Sequence, residues 1–190
     1  MSRLRAVLAT GNAGKAAELS RLLGRDVEAR PIEVEEDADT YAGNALLKAR
    51  AALSAAGGRI GLGDDSGLEV AALGGEPGLH SARWAGPTDA DRNSALLARL
   101  DGAADRSAAF VCALAAILPD GREIVVEERV EGVIADAPRG SAGFGYDPLF
   151  VPEGDSRTVA ELTPDEKDVV SHRGRASRAL ASALGEAGVS

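Results

Sequence analysis

Two adjacent carboxylates, Asp64 and Asp65, follow a short apolar stretch in the segment IGLGDDSGLEV. We expect this stretch, residues 60–63, to be a strand that ends at the acidic pair. Ligands of open α/β sheets bind at such carboxyl ends. Aspartate oxygens suit Mg²⁺, and a carboxylate beside a water molecule can act as a general base. The alternative is an Asx turn that Ser66 and Gly67 complete.

A metal site here needs further ligands, because neighbouring side chains on an extended backbone point to opposite faces. Only one of the two aspartates can therefore face a given cleft. A second acidic cluster, EVEED at residues 33–37, lies upstream. Such a charge run is usually a solvated loop, but any one of its carboxylates could complete a metal site.

A small-residue turn, TGNAGK at residues 10–15, joins an apolar strand to a segment of helical period. A strand, a tight turn and a helix start can bind phosphate. The turn is not a P-loop, because Ala9 and Ala16 stand where the Walker A motif has glycine and a hydroxyl. Asn12 can cap the helix, and a bound phosphate would offset the cost of placing Lys15 at the helix N-terminus. The alternative is a plain turn with a solvated lysine.

An aromatic residue, Phe144, stands between two glycines in the segment SAGFGYDPLF. Such a side chain can stack on a nucleobase. The alternative is a turn with two hydrophobic anchors, Phe144 and Tyr146. The segment by itself is compatible with either role.

The most basic stretch of the chain is EKDVVSHRGRASRAL, which contains Lys167, His172 and Arg173. These residues suit a triphosphate or a purine oxygen. The alternative is the exposed face of a terminal helix, which would explain Arg175 and Arg178 well.

The elements that position these residues follow from apolar periodicity and capping residues. We predict strands at 3–9, 26–34, 60–63, 108–118 and 122–135, a short strand or turn at 68–73, and helices at 13–23, 40–56 after Asp39 or Thr40, 89–100, from 164, and from His172 to Leu184. Early strand–helix alternation followed by a hairpin implies an α/β fold with a mixed sheet. We find no convincing linker, so we predict a single domain over residues 1–190.

The composition limits the partners and the compartment. The chain has 190 residues, of which 45% are hydrophobic, which is enough for a core. Its net charge of -9 argues against binding to polymeric nucleic acid. No apolar run approaches the roughly 18 residues that a membrane-spanning helix needs. The single cysteine, Cys112, fits a reducing compartment, so we expect a cytoplasmic protein.

In this order the motifs resemble those of the inosine triphosphate pyrophosphatase family. The matching stretches are LATGNAGKAAEL, NALLKA, DDSGLEVAALGGEPGLHSARWAG, GFGYDPLF and AELTPDEKDVVSHRGRA, from residue 8 to about residue 176. The resemblance implies hydrolysis of the deaminated purine triphosphates ITP, dITP and XTP. Water would attack the α-phosphorus and release pyrophosphate and the nucleoside monophosphate, with Mg²⁺ as cofactor.

The resemblance also implies roles for individual residues. Asp65 would be the general base and a metal ligand, with Asp64 and Glu36 as further metal ligands. The implied substrate-binding residues are Thr10, Gly11, Asn12, Ala13, Gly14, Lys15, Ser66, Phe144, Gly145, Tyr146, Asp147, Lys167, His172 and Arg173. The first six would hold the triphosphate, Phe144 would stack on the base, and the last three would read the purine edge.

The implied fold is an elongated mixed β-sheet flanked by helices, with two lobes around a nucleotide cleft, in a homodimer. One position departs from the family pattern. The family often has glutamate directly before the NA of NALLKA, where this chain has Gly43. A carboxylate is therefore missing there, and Glu35, Glu36, Asp37 or a water would have to substitute for it.

Three other functions stay open. Related pyrophosphatases act on pyrimidine or modified nucleotides, although Lys167 with His172 and Arg173 favours a purine. A nucleotide-binding regulator would keep the phosphate loop without catalysis. The retained Asp64–Asp65 pair weighs against this, and Gly43 weighs slightly for it. A purely structural α/β domain would bind no nucleotide.

Overall fold

The computed structural model of the protein describes residues 5–189. Within them the chain forms an α/β fold around a six-stranded sheet of order β2-β1-β3-β4-β5-β6, which confirms the predicted fold class. The strands are β1 (Ala6–Ala9), β2 (Val27–Arg30), β3 (Ile60–Val70), β4 (Ser107–Ile117), β5 (Glu123–Ile134) and β6 (Phe150–Pro152). The helices are α1 (Ala13–Leu23), α2 (Tyr41–Ala55), α3 (Asp89–Arg99), α4 (Pro164–Val170) and α5 (His172–Glu186). Single 3-10 turns lie at Ala71–Leu73, Gly78–His80 and Val159–Glu161.

The sheet is mixed, as predicted. β1 runs parallel to both β2 and β3, whereas β5 and β6 are antiparallel. β4 and β5 follow each other in the chain and are neighbours in the sheet. The Leu118 N–H donates to the Arg122 carbonyl oxygen at 2.9 Å in the connection between them, which confirms the predicted hairpin. From residue 5 to residue 189, none of the helices combines the length and apolarity that crossing a membrane requires.

Capping residues set the helix starts. The Asn12 side-chain oxygen accepts hydrogen bonds from the N–H groups of Gly14 and Lys15, at 2.9 and 3.2 Å, at the start of α1. Thr40, rather than Asp39, caps α2. Each cap satisfies N–H groups that have no partner inside the helix. The predicted starts of these helices are therefore confirmed.

One strand prediction was wrong, and one strand was missed. The strand at residues 60–63 does not end at the acidic pair but continues as β3 to Val70, so the Asx turn is excluded. The reason is tertiary: Leu68 and Val70 are fully buried in an apolar core. The short strand β6, with Phe150 at its start, was not predicted. The ends of the remaining strands differ from the predicted ones. For example, β2 stops at Arg30, directly before a proline. Residues 3 and 4 of the first predicted strand lie outside the described part of the chain.

The chain divides into two compact units, each built from separate segments. The first comprises the chain up to Asp65, Cys112–Glu128 and the chain from Arg173 onwards; the second comprises Ser66–Val111 and Arg129–His172. In the first unit α1 and α5 share an apolar core with β1, β3 and β4. The core of the second unit contains residues of α3 and of the strands β3 to β6.

Helix α2 packs against β3 within the first unit through unusually small residues. Its buried positions include Ala45, Ala49 and Ala52. A Cβ built on Gly63 of β3 would lie 1.9 Å from the Ala45 carbonyl oxygen, and one on Gly61 would lie 2.4 Å from the Ala49 carbonyl oxygen. Glycine at both positions therefore allows the helix backbone to lie directly against the strand.

Candidate active site

Asp64 and Asp65 occupy neighbouring positions on β3, and their side chains point to opposite faces, as the alternation of a strand requires. The Asp64 carboxylate contacts side chains from α1 and α5. The Asp65 carboxylate contacts side chains from α2. Each carboxylate therefore has a separate environment in the first unit.

Asp65 is buried, and its carboxylate accepts hydrogen bonds from Lys48 Nζ at 2.9 Å and Asn44 Nδ2 at 3.3 Å. Asn44 and Lys48 are four residues apart and so share one face of α2. Burial raises the pKa of Asp65 above its ordinary value, although the charge and hydrogen bond of Lys48 oppose this effect. A raised pKa makes a carboxylate a better proton acceptor for an attacking water.

Glu36 is the member of the acidic cluster that joins this site. Its neighbours Glu35 and Asp37 are exposed, whereas Glu36 is half-buried. Glu36 Oε1 lies 2.9 Å from Lys48 Nζ, the same ammonium that lies 2.9 Å from Asp65 Oδ1. For Lys48, burial by itself would lower the pKa, but the charges of Asp65 and Glu36 raise it. Lys48 is therefore a firmly protonated link between two carboxylates.

The donor set fits magnesium. A positive charge, the Lys48 ammonium, already lies between the oxygens of Glu36 and Asp65. Among residues 5–189, no three His, Cys, Asp or Glu side chains are grouped so that they could hold a metal ion. Mg²⁺ needs fewer protein ligands, since it is usually held by one or two carboxylates together with waters and substrate phosphates. The structure does not bring Asp64 into this group.

Asp64 is instead held by cations on the other face of β3. Its Oδ2 accepts from Arg173 Nε at 2.9 Å and from the Cys112 thiol at 3.7 Å, and its Oδ1 accepts from Lys15 Nζ. Burial by itself would raise the pKa of Asp64, but the charges of Arg173 and Lys15 outweigh it and hold the pKa well below its usual range. Asp64 therefore stays ionised and is a poor proton acceptor.

The loop at residues 10–15 has the form expected of an anion site. Its residues Gly11 to Gly14 are exposed, and the loop leads directly into α1. The Asn12 N–H donates to Thr10 Oγ1 at 3.0 Å, which holds the turn before the Asn12 cap. Lys15 lies in the first helical turn with a side chain that is 21% exposed. An exposed loop and a lysine thus lie together at a helix N-terminus, where anions are favoured.

Gly43 lies in the first turn of α2 against the acidic segment. A Cβ at this position would lie 2.6 Å from the Ala38 Cβ, so a larger residue would displace the segment. The Ala38 N–H donates to Asn44 Oδ1 at 3.1 Å, and the same amide group donates to Asp65. Glycine at position 43 therefore leaves room for Ala38, and with it for the segment that carries Glu36, next to Asn44 and Asp65.

The glycine-rich loop of the second unit is held in place by hydrogen bonds from α3. The Gly145 N–H donates to Asp89 Oδ2 at 2.6 Å, and Asn93 Nδ2 donates to the Gly145 carbonyl at 3.0 Å. Gly145 has a φ of 63°, a conformation that favours glycine. The Tyr146 hydroxyl donates to the Ser81 carbonyl at 3.0 Å. The glycine-rich loop is therefore tied by hydrogen bonds to α3 and to the Ser81 carbonyl.

Phe144 lies beside a charged pair in this loop. The Asp147 carboxylate accepts from the Phe144 N–H at 3.0 Å and from Lys167 Nζ at 2.9 Å. The Lys167 ammonium lies 4.9 Å from the centre of the Phe144 ring, within cation–π range. The structure therefore brings together the predicted aromatic and one of the predicted purine-reading residues.

The other two predicted purine-reading residues have different surroundings. The His172 ring stacks on Phe110 in the second unit, with centroids 4.4 Å apart. Arg173 belongs to the first unit and binds Asp64 and Glu18. Ser66, the first residue of the second unit, is half-buried. Exposure of Arg175 and Arg178 on α5 fits the interpretation of a solvated helix face.

Several residues of the site were missed by sequence reasoning. Lys48 and Asn44 stand in NALLKA, and their spacing of four on a predicted helix was a usable signal. Glu18, which binds Arg173 at 3.1 Å, had no such signal because it reads as an ordinary charged residue of α1. Asn93 likewise could not be connected to the distant glycine loop.

Comparison with known proteins places these motifs in a family. The model of the Ham1 family matches residues 6–183. The chain belongs to the Ham1 family. It is 51% identical to a protein of Symbiobacterium thermophilum named dITP/XTP pyrophosphatase, over 97% of this chain and 95% of that protein. It is 53% identical to a protein of the same name from Gloeobacter violaceus, over 93% and 92% of the two chains.

Solved structures agree with this membership. The structure of a HAM1 protein from Coxiella burnetii superimposes with a TM-score of 0.83 at 41% identity and covers 96% of this chain and 99% of that one. These matches confirm the family resemblance noted in the sequence motifs, both over nearly the whole chain and in the fold.

Proposed function

We propose that this protein is a pyrophosphatase that hydrolyses ITP, dITP and XTP to the nucleoside monophosphate and pyrophosphate. The observation that carries the proposal is the Asp65 carboxylate, buried beside Glu36 and Lys48. The name dITP/XTP pyrophosphatase of relatives about half identical over nearly the whole chain supports it. The reaction would remove deaminated purines from the nucleotide pool.

In the proposed reaction, Asp65 accepts the proton of the water that attacks the α-phosphorus. Its raised pKa and its fixed hydrogen bonds to Asn44 and Lys48 support this role. Glu36 and Asp65 would hold Mg²⁺, which supplies charge stabilisation to the phosphate oxygens when bound. Lys48 would then be available to a phosphate oxygen, because the charge of the metal would repel its ammonium.

The first unit would bind the triphosphate through the loop at residues 10–15. Residues Gly11 to Gly14 of this loop are exposed, and Lys15 lies in the first turn of α1. Anions are stabilised at such helix N-termini by the backbone N–H groups and the helix dipole.

The second unit would bind the base through Phe144 and Lys167. Hypoxanthine and xanthine carry a 6-oxo acceptor where adenine has an amino donor. The Lys167 ammonium, held by Asp147 next to the Phe144 ring, would donate to that oxygen but would meet adenine donor to donor. A donor left without a partner in a buried site costs about 1–3 kcal/mol. Guanine also has a 6-oxo group, so its rejection needs a contact near C2.

We further propose that the enzyme works as a cytoplasmic homodimer with Mg²⁺. The single buried thiol supports a reducing compartment. The dimer and the metal follow from the family resemblance.

The test is pyrophosphate release with Mg²⁺ from ITP, XTP, ATP and GTP. We expect turnover of the first two, and a loss of about 10²–10⁴-fold in Asp65→Asn. Glu36→Gln should weaken Mg²⁺ binding in a calorimetric titration, whereas the matched change at its exposed neighbour, Asp37→Asn, should not. Equal turnover of all four nucleotides would leave an enzyme but refute the selectivity argument for Lys167. Binding without any turnover would identify a nucleotide-binding protein instead.

A further inference from the structure

A row of four charges runs through the interior of the first unit. Arg173, 2% exposed at the start of α5, donates from Nη1 to Glu18 Oε2 at 3.1 Å and from Nε to Asp64 Oδ2 at 2.9 Å. The other oxygen of Asp64 accepts from Lys15 Nζ. The row therefore connects the C-terminal helix to the first turn of α1, where the phosphate loop ends.

The charges of this row balance. Glu18 and Asp64 are the two anions, and Arg173 and Lys15 are the two cations. If Arg173 were neutral, the row itself would carry two carboxylates against a single ammonium. The excess negative charge would lie directly below a loop that has to accept a triphosphate, and it would also draw Lys15 towards the interior.

We propose that Arg173 is a positioning residue for phosphate binding, acting through Asp64 on Lys15, and that it does not read the purine. Asp64 fixes the Lys15 ammonium in one place, so less side-chain freedom is lost when phosphate binds. Arg173 compensates the charge of Asp64 and Glu18, so that the positive charge of Lys15 remains effective toward an anion. The role of Asp64 is then to position Lys15, and it is separate from the proposed metal site of Glu36 and Asp65.

The test separates phosphate binding from base recognition. Affinity for inorganic tripolyphosphate, which has no base, is measured by calorimetry without added metal for wild type, Arg173→Met and the double variant Arg173→Met/Glu18→Gln. We expect Arg173→Met to bind about tenfold more weakly, and the double variant, whose charges again balance, to recover most of that loss. The kcat/KM of Arg173→Met should fall by the same factor for ITP and ATP. Lys167→Ala should do the opposite, keeping tripolyphosphate affinity and changing the ratio between ITP and ATP.

The proposal rests on the proposed function only for the nucleotide assays. If wild type releases no pyrophosphate from any nucleotide, that function fails, while the tripolyphosphate titration still decides this proposal. A changed ratio of ITP to ATP in Arg173→Met would overturn it, as would wild-type protein that binds no tripolyphosphate. If Arg173→Met does not fold, the double variant carries the test: near-wild-type affinity supports charge balance, and a persistent loss shows that Arg173 contacts the ligand itself.

Discussion

Replacing Gly63 by alanine should damage both stability and activity, because α2 lies directly on β3 at this glycine. The new Cβ would lie 1.9 Å from the Ala45 carbonyl oxygen, whereas real Cβ atoms essentially never come within 3.0 Å, so the helix must move by about 1 Å. Overpacking of this kind typically costs about 1–3 kcal/mol. For a chain of this length, each kcal/mol lowers Tm by about 2–4 °C. We therefore expect a Tm decrease of about 2–12 °C.

The same movement should reach the active site. Helix α2 carries Asn44 and Lys48, whose hydrogen bonds to Asp65 measure 3.3 and 2.9 Å. An added 1 Å takes these contacts beyond hydrogen-bond range, and a misplacement of that size can cost about 100-fold in rate. Pyrophosphate release from ITP, measured well below the new Tm, reports this loss.

The matched control is Gly185→Ala near the end of α5. A Cβ there meets nothing within 4 Å. Alanine is the better helix former, so the change should be neutral or stabilising by up to about 1 kcal/mol. If Gly63→Ala has the Tm and the kcat/KM of wild type, α2 does not lie against β3 as described, and the account of how Asp65 is positioned fails with it.

Two further predictions concern buried groups. Burial raises the pKa of Tyr146 to about 12, so the folded state keeps a proton that the unfolded chain loses near pH 10. The contribution of Tyr146 to the free energy of unfolding is therefore fully present below pH 10 and is lost between pH 10 and 12. Tyr146→Phe should remove this part of the pH dependence of the urea unfolding midpoint. If the midpoints of wild type and variant fall in parallel with pH, the assigned burial of Tyr146 is wrong. Cys112, which is fully buried, should react with a thiol reagent only after unfolding, and rapid labelling of the native protein would show that its surroundings open.

Local signals predicted most helices and the hairpin. Asn12 and Thr40 mark helix starts through hydrogen bonds to residues two or three positions away, so the sequence contains both partners. The length of β3 was not predictable in this way. Gly63 and the aspartates after it resemble a turn locally, and only their neighbours α2 and the core around Leu68 make that segment a strand.

The sequence by itself determined the family and the residue types available at the candidate site, because motif residues keep their spacing along the chain. The tertiary structure decided the surroundings of each carboxylate. Asp64 and Asp65 are adjacent and chemically identical, yet one meets buried cations from α1 and α5 and the other meets Lys48 and Asn44 from α2. Likewise, only packing distinguishes Glu36 from the exposed acids beside it. Protonation and charge balance depend on what surrounds a group in space, and those neighbours come from distant parts of the chain.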